Sequence, residues 1–219
     1  MFTYSQNPID KTLPPVEQAY QFILNRILSG ELQPGMRVPS EAVAEALGVS
    51  RMPVRDALRS LEGDGAVSII ANRGAIVARY SPSQVTELIE MRAALEGLAA
   101  RLALPNVGPL EFEELNHLRS KMAEGAAHSL ADWMARHDAF HNYLTSLSRR
   151  PMLLKQTERM RVMLLPYFRR YYESSDELEI VGLEHQKIIS AIEHKDPTLL
   201  EQIVRGHAMQ NVDKVAALG

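Results

Sequence analysis

Residues 48–77, GVSRMPVRDALRSLEGDGAVSIIANRGAIV, contain a glycine turn, an amphipathic helix and a short hairpin in direct succession. Gly48-Val49-Ser50 makes a tight turn, and Ser50 is placed to cap the helix that follows because its hydroxyl can accept from the first-turn amides. Pro53 is tolerable there, since those early amides have no helical partner to lose. The spacing predicts a helix over roughly 50–63, stopped by Gly63 and Gly65. Val54, Ala57, Leu58 and Leu61 form one apolar face, and Arg51, Arg55 and Arg59, at i, i+4 and i+8, form a basic stripe on the other. Val67, Ile69 and Ile70, then Asn72-Arg73-Gly74, then Ala75, Ile76 and Val77 read as two short strands joined by a turn.

Upstream, Val16, Ala19, Tyr20, Ile23, Ile27 and Leu28 fall at helical spacing over 16–28, ending at Ser29-Gly30 before a Pro34-Gly35 turn. A short helix follows Pro39-Ser40 and runs to Leu47, with Val43, Ala44 and Leu47 inward. Three helices and a hairpin make a winged helix-turn-helix, a plan in which the second motif helix enters a DNA major groove. On that plan Ser50, Arg51, Met52 and Arg55 reach base edges and phosphates, Arg59 extends the stripe, and Arg73 at the hairpin tip is placed for the minor groove. A stripe of three arginines beside Asp56 also reads as a solvated helix face. Residues 1–80 hold 8 basic and 8 acidic side chains, so the charge sum does not choose between the two.

After Tyr80 only long helical patterns remain, opened by Ser81-Pro82 as cap and first helical residue. Helices are predicted at 82–104, 109–125, 130–148, 151–173, 176–194 and 197–217, broken at Pro105, Gly108-Pro109, Gly125, Pro151, Ser174-Ser175 and Asp196-Pro197, with Pro166 expected to kink the fourth. The fold class is therefore mainly α: a winged helix over 1–80, then an all-α antiparallel bundle of six or seven helices over 81–219.

The bundle's histidines are unevenly placed. Leu130, Trp133, Met134, Phe140, Leu144 and Leu147 form a stripe that His137 and His141 complete. His185 lies among Leu178, Val181, Ile188, Ile189 and Ile192, and His207 among Leu200, Ile203, Val204 and Val212, whereas His117, His128 and His194 fall off the stripes. One inward histidine reads as a core imidazole satisfied by a neighbour. Burying four without partners costs a few kcal/mol each, and a divalent cation would satisfy all four. An imidazole set suits zinc, nickel, copper or iron over magnesium or calcium, with zinc or nickel foremost.

Composition narrows the classes further. The chain has 219 residues, 24 Lys+Arg against 27 Asp+Glu, and no cysteine, which excludes disulfides, thiolate zinc sites, iron–sulfur clusters and cysteine nucleophiles. The first residues lack a basic start before an apolar core, and no stretch approaches ~18 consecutive apolar residues, so a cytoplasmic protein with no membrane segment is expected.

The stretch ILSGELQPGMRVPSEAVAEALGVSRMPVRDALRSLEGDGAVSIIANRGAIVA resembles the winged-helix domain of the GntR family of bacterial transcription regulators. The resemblance implies that Ser50, Arg51, Arg55 and the Arg73-Gly74 wing tip contact DNA, and that a homodimer reads a palindromic operator. The chain departs from the family at Ala42 or Val43, where an arginine is frequent, and at Met52, where a threonine is. Residues 82–215 resemble the FCD-type effector domain of the FadR-like subfamily, through RAALEGLAARLA, HDAFHNYLTSLSRRP and Glu184-His185 with His207 beyond. That likeness implies a metal site at His137, His141, His185 and His207. His137 stands where the family has Asp or Asn, so Asp138 is a rival for that place in the ligand set; spacing favours His137, because Asp138 lies about 100° further round the helix.

The resemblance also implies an effector that is an organic acid, sugar acid or amino acid, with Arg92 matching a recurrent family arginine and Arg161, Tyr167 and Tyr143 as further pocket candidates. Each could equally hold helices together by hydrogen bonds. The expected function is a DNA-binding regulator, a repressor, whose operator affinity follows a small carboxylate. The alternative is a metal-dependent hydrolase or other metalloenzyme with an N-terminal interaction module, although no carboxylate accompanies the ligands in an HExxH-like arrangement.

Overall fold

A computed structural model describes residues 10–126, 129–173, 178–210 and 212–218. The chain divides between Tyr80 and Ser81 into two compact units. The first contains α1 (Pro15–Leu28), α2 (Ser40–Leu47), α3 (Arg51–Gly63) and the antiparallel strands β1 (Val67–Ile70) and β2 (Gly74–Val77). Ile23, Leu24, Ile27 and Leu28 of α1 pack with Val54, Ala57, Leu58 and Leu61 of α3, all buried. Val16, expected inward, is exposed at the first turn of α1, and Leu47 is only half-buried.

Gly48 takes a left-handed φ of 66° and its amide returns to the end of α2, turning the chain directly into α3. Ser50 sits at the N-cap position, but its hydroxyl makes no capping bond, contrary to expectation. In the hairpin, Val67 pairs with Val77 and Ile70 with Gly74. Asn72 (φ 61°) and Gly74 (φ 82°) supply the left-handed residues that a three-residue connection needs. The segment before α2 lies along β2: Arg37 bridges Ile76, the Val38 amide donates to the Ala75 carbonyl and the Val77 amide donates to that of Met36.

The second unit holds α4 (Pro82–Ala103), a single 3-10 turn (Leu104–Asn106), α5 (Pro109–Ala126), α6 (Leu130–Ser146), α7 (Pro151–Glu173), α8 (Leu178–Glu193), α9 (Pro197–Met209) and α10 (Val212–Ala216). Ser81 and Gln84 close a capping box on α4, and Ser129 and Asp196 cap α6 and α9 through their side chains. α5 ends at Ala126, one residue past Gly125, and α7 runs as one helix with Pro166 inside it. The helix expected over 197–217 is two: at Gln210 the backbone opens to ψ 132°, and Val212 falls in α10, half-buried. The Ala208 carbonyl near that break accepts from Arg92 of α4, which supplies a donor that a continuing helix would otherwise provide. His117 and His194 are exposed. Ser174-Ser175, the expected start of the following helix at 176, His128, and the side chains of Leu178 and Val181 lie outside the described residues.

α4 packs chiefly on α9 and α7, and α6 on α5 and α7. Gly97 allows the close approach of α4 to α9: a Cβ there would stand 2.3 Å from Arg205 Cγ and 3.1 Å from the Glu201 carbonyl oxygen. Gly206, exposed on α9, has nothing within 4 Å of the same construction. Gly97→Ala should therefore lower stability by ~1–3 kcal/mol through overpacking, while Gly206→Ala should raise it by ~0.5–1 kcal/mol through helix propensity, both read by thermal unfolding.

Candidate functional sites

In the first unit the three α3 arginines are exposed, while the apolar face of that helix is spent on the core. Arg51, Arg55, Arg59 and Gly74 line one groove of about 860 Å3 with Arg37, Ser40, Glu41, Glu45, Ile69 and Ile70. Ser50, Met52 and Arg73 are exposed but do not line it. Arg51 Nη1 is 3.1 Å from Glu41 Oε1 and Arg59 Nη1 is 3.3 Å from Asp56 Oδ1. All four side chains are solvated, so these pairs are weak and exchange readily for another anion. Arg37 belongs to the groove although no helical or motif pattern marks it; a one-residue bridge to β2 leaves no periodicity to read.

In the second unit the four predicted histidines converge. His141 Nε2 lies 3.1 Å from His185 Nε2 and 3.2 Å from His207 Nε2, and with His137 one ligand atom from each ring falls within 4.8 Å of all the others. Nitrogens about 2.0–2.1 Å from a tetrahedral ion stand roughly 3.3 Å apart, so the cluster is close to a coordination shell. Burial pushes His137, His141 and His207 down, the last two strongly, keeping them in the neutral form that ligates. His137 Nε2 and His207 Nδ1 are buried with no hydrogen-bond partner. The donor set and its unsatisfied nitrogens fit a metal ion.

His137 and His207 form one wall of a cavity of about 40 Å3, room for a few water-sized groups, and His141 and His185 lie behind them, fully buried. The other walls are Arg92, Trp133, Met134, Asp138, Arg161, Leu165, Phe168, Tyr172 and Gln210. Arg92 and Arg161 thus reach the cavity. Tyr167 is buried without lining it, and Tyr143, half-buried on α6, does not line it either; burial raises its phenol, and Glu111 and Glu114 of α5 add to that. The aromatic wall actually present, Trp133, Phe168 and Tyr172, reads in the sequence as ordinary core spacing. Gln210 enters only because α9 ends there.

Charges beside the cavity are paired. Arg161 donates to Glu96 Oε1 at 2.6 Å and to Asp138 Oδ1 at 3.0 Å. Asp138 is therefore committed to Arg161, while its other neighbour, His137 Nδ1, stands 3.6 Å away. Burial works to raise the Asp138 carboxyl, but His137 and Arg161 outweigh it and hold it below its ordinary value. Arg92 stacks 4.7 Å over the Phe168 ring and lies 3.7 Å from Glu96, with its Nε unsatisfied. Burial pulls its guanidinium below the usual range, and Arg161 adds to that while Glu96 opposes it. Arg161→Gln should destabilise the chain by ~3–5 kcal/mol in thermal unfolding, because it leaves Glu96 and Asp138 buried without their common partner.

The model of the GntR family, "Bacterial regulatory proteins, gntR family", matches residues 15–77, and that of the FCD domain matches residues 87–210. An HTH-type transcriptional regulator in the TAR-I ttuE-ttuC' intergenic region of Agrobacterium vitis is 35% identical over 136 residues, covering 60% of this chain and 79% of the relative. The HTH-type transcriptional repressor GlaR of Escherichia coli is 26% identical over 200 residues, covering 87% of this chain and 90% of GlaR. The solved structure of E. coli McbR/YncC superposes with a TM-score of 0.83 at 24% identity, over 93% of this chain and 97% of that one, and so shares the fold. GntR regulators bind DNA, FCD domains bind small-molecule effectors and in some members metals, and the metalloenzyme alternative finds no support in these relatives. No helix among the described residues is long and apolar enough to cross a membrane. A winged helix presenting arginines and a helical bundle around a histidine-lined cavity are thus the two parts of one kind of protein: the chain belongs to the GntR family of bacterial regulatory proteins, carries an FCD domain, and is a DNA-binding transcriptional regulator.

Proposed function

We propose that the protein is a cytoplasmic homodimeric repressor that reads a palindromic operator through Ser50, Arg51, Met52, Arg55, Arg59 and the Arg73-Gly74 wing, and releases or regains it as a small carboxylate enters the second unit. The convergence of four imidazoles beside a cavity that a buried arginine also lines carries this reading. His137, His141, His185 and His207 would hold a divalent transition ion, zinc or nickel, and that ion would supply positive charge for a carboxylate oxygen. Arg92, which lines the same cavity, would bind the same anion, its Nε having no hydrogen-bond partner. Trp133, Phe168 and Tyr172 exclude water from the contact. A cavity of this size suits the small members of the organic acid, sugar acid and amino acid classes. GlaR and a Paenarthrobacter nicotinovorans relative named as a D-xylose utilization operon repressor support the repressor reading.

Regulation requires that the effector bind the DNA-competent and DNA-incompetent arrangements with different affinity, and ~1–3 kcal/mol of coupling changes operator affinity roughly 5–150-fold. The DNA half is tested by selecting an operator from a random-sequence duplex library with the intact protein. Arg51→Ala should then weaken binding by ~1–3 kcal/mol per half-site contact with the melting temperature unchanged, and unaltered affinity removes Arg51 from the reading set. The metal half is tested on chelator-stripped protein. Zinc or nickel at a hundred times its Kd should add ~2.7 kcal/mol and raise Tm by several degrees. It should also change the emission of Trp133, the chain's one tryptophan, whose ring lies 5.1 Å from that of His137. His137→Ala should diminish both responses, and their absence in the unaltered protein would leave the histidines as core residues.

A further inference from the structure

The groove of the first unit has two unlike walls. α3 contributes Arg51, Arg55 and Arg59, whereas α2, SEAVAEAL, contributes Glu41 and Glu45 and has no basic residue. A DNA strand crossing such a groove meets cations on one side and carboxylates on the other. The cation on the α2 side comes from just before that helix. Arg37 is exposed, lines the groove, and has no acidic partner among the described residues, while Arg51 and Arg59 are each paired with a carboxylate.

Its position is fixed by the backbone. Gly35 donates to the Val77 carbonyl, Val77 to that of Met36 and Val38 to that of Ala75, so Arg37 is effectively a third-strand residue on the wing. Its guanidinium extends to the wing tip, where Nε and Nη2 lie 3.7 Å from the point a Gly74 Cβ would occupy. A side chain held at its stem and free at its head loses little further freedom on meeting an anion.

We propose that Arg37 contacts a DNA backbone phosphate where the wing meets the major-groove helix, supplying from the strand before α2 the positive charge that α2 lacks. The proposal rests on the DNA-binding reading of the groove and adds a residue to it. Its test uses the full-length chain and a 30-bp duplex of random sequence, with affinity measured against salt concentration. Each phosphate contact contributes about −0.9 to the slope of log K against log salt. Arg37→Gln should make the slope shallower by about 0.9 per protomer engaged, and Arg37→Lys, which keeps the charge, should retain it. Arg79→Gln removes another exposed charge of the same unit, one that does not line the groove, and should leave the slope unchanged. An unaltered slope in Arg37→Gln, or an equal loss in Arg79→Gln, overturns the phosphate contact while leaving DNA binding in place. A parent protein with no salt-dependent binding to the duplex overturns both.

Discussion

Four imidazoles and two guanidinium groups share the interior of one small helical unit, and pairing the guanidinium charges constrains how its helices pack. Arg161 meets Glu96 of α4 and Asp138 of α6 at once, joining three helices through a single side chain. Arg92 takes up the Ala208 carbonyl near the end of α9. The α4–α9 approach at Gly97 brings these partners together. The guanidinium charges beside the cavity thus have carboxylate partners, whereas the imidazole cluster keeps nitrogens without one. On the proposed reading, those nitrogens would take a cation and the guanidinium beside them an anion.

Periodicity carried most of the architecture. The α3 stripe, the hairpin turn and the extent of α7 were all legible because each rests on local rules: helical spacing, glycine and proline punctuation, and N-terminal capping. The histidines were legible for the same reason, since each falls on the apolar face of its own helix. What was not legible depends on contacts between distant segments. The end of α9 at Gln210 has no glycine or proline to announce it; Arg92, more than a hundred residues away, takes a carbonyl there. Ser50 occupies a capping position by backbone geometry alone, its hydroxyl unused.

The pocket shows the same division. Arg92 and Arg161 were identifiable as inward arginines, but their carboxylate partners were not, because Glu96 reads as one more polar residue among the alanines of α4 and Asp138 as a rival ligand beside His137. Tyr143 and Tyr167 lie on the right helices but in the wrong directions. Tyr172 and Phe168 take the expected aromatic role near the C-terminal end of α7. Helical phase assigns a residue to a face, whereas membership in a cavity depends on where the neighbouring helices stop.

The pairing of Arg51 with Glu41 has a consequence for the search along the chromosome. Before any encounter the arginine already has a carboxylate beside it, so the proposed docking of Arg51 on DNA would exchange one anion for another and displace fewer counterions than a naked guanidinium would. Counting arginines therefore overstates how strongly the domain clings to arbitrary sequence. A protein held less tightly at each wrong position can leave it sooner, and the acidic residue facing the groove becomes a determinant of how fast the right one is found.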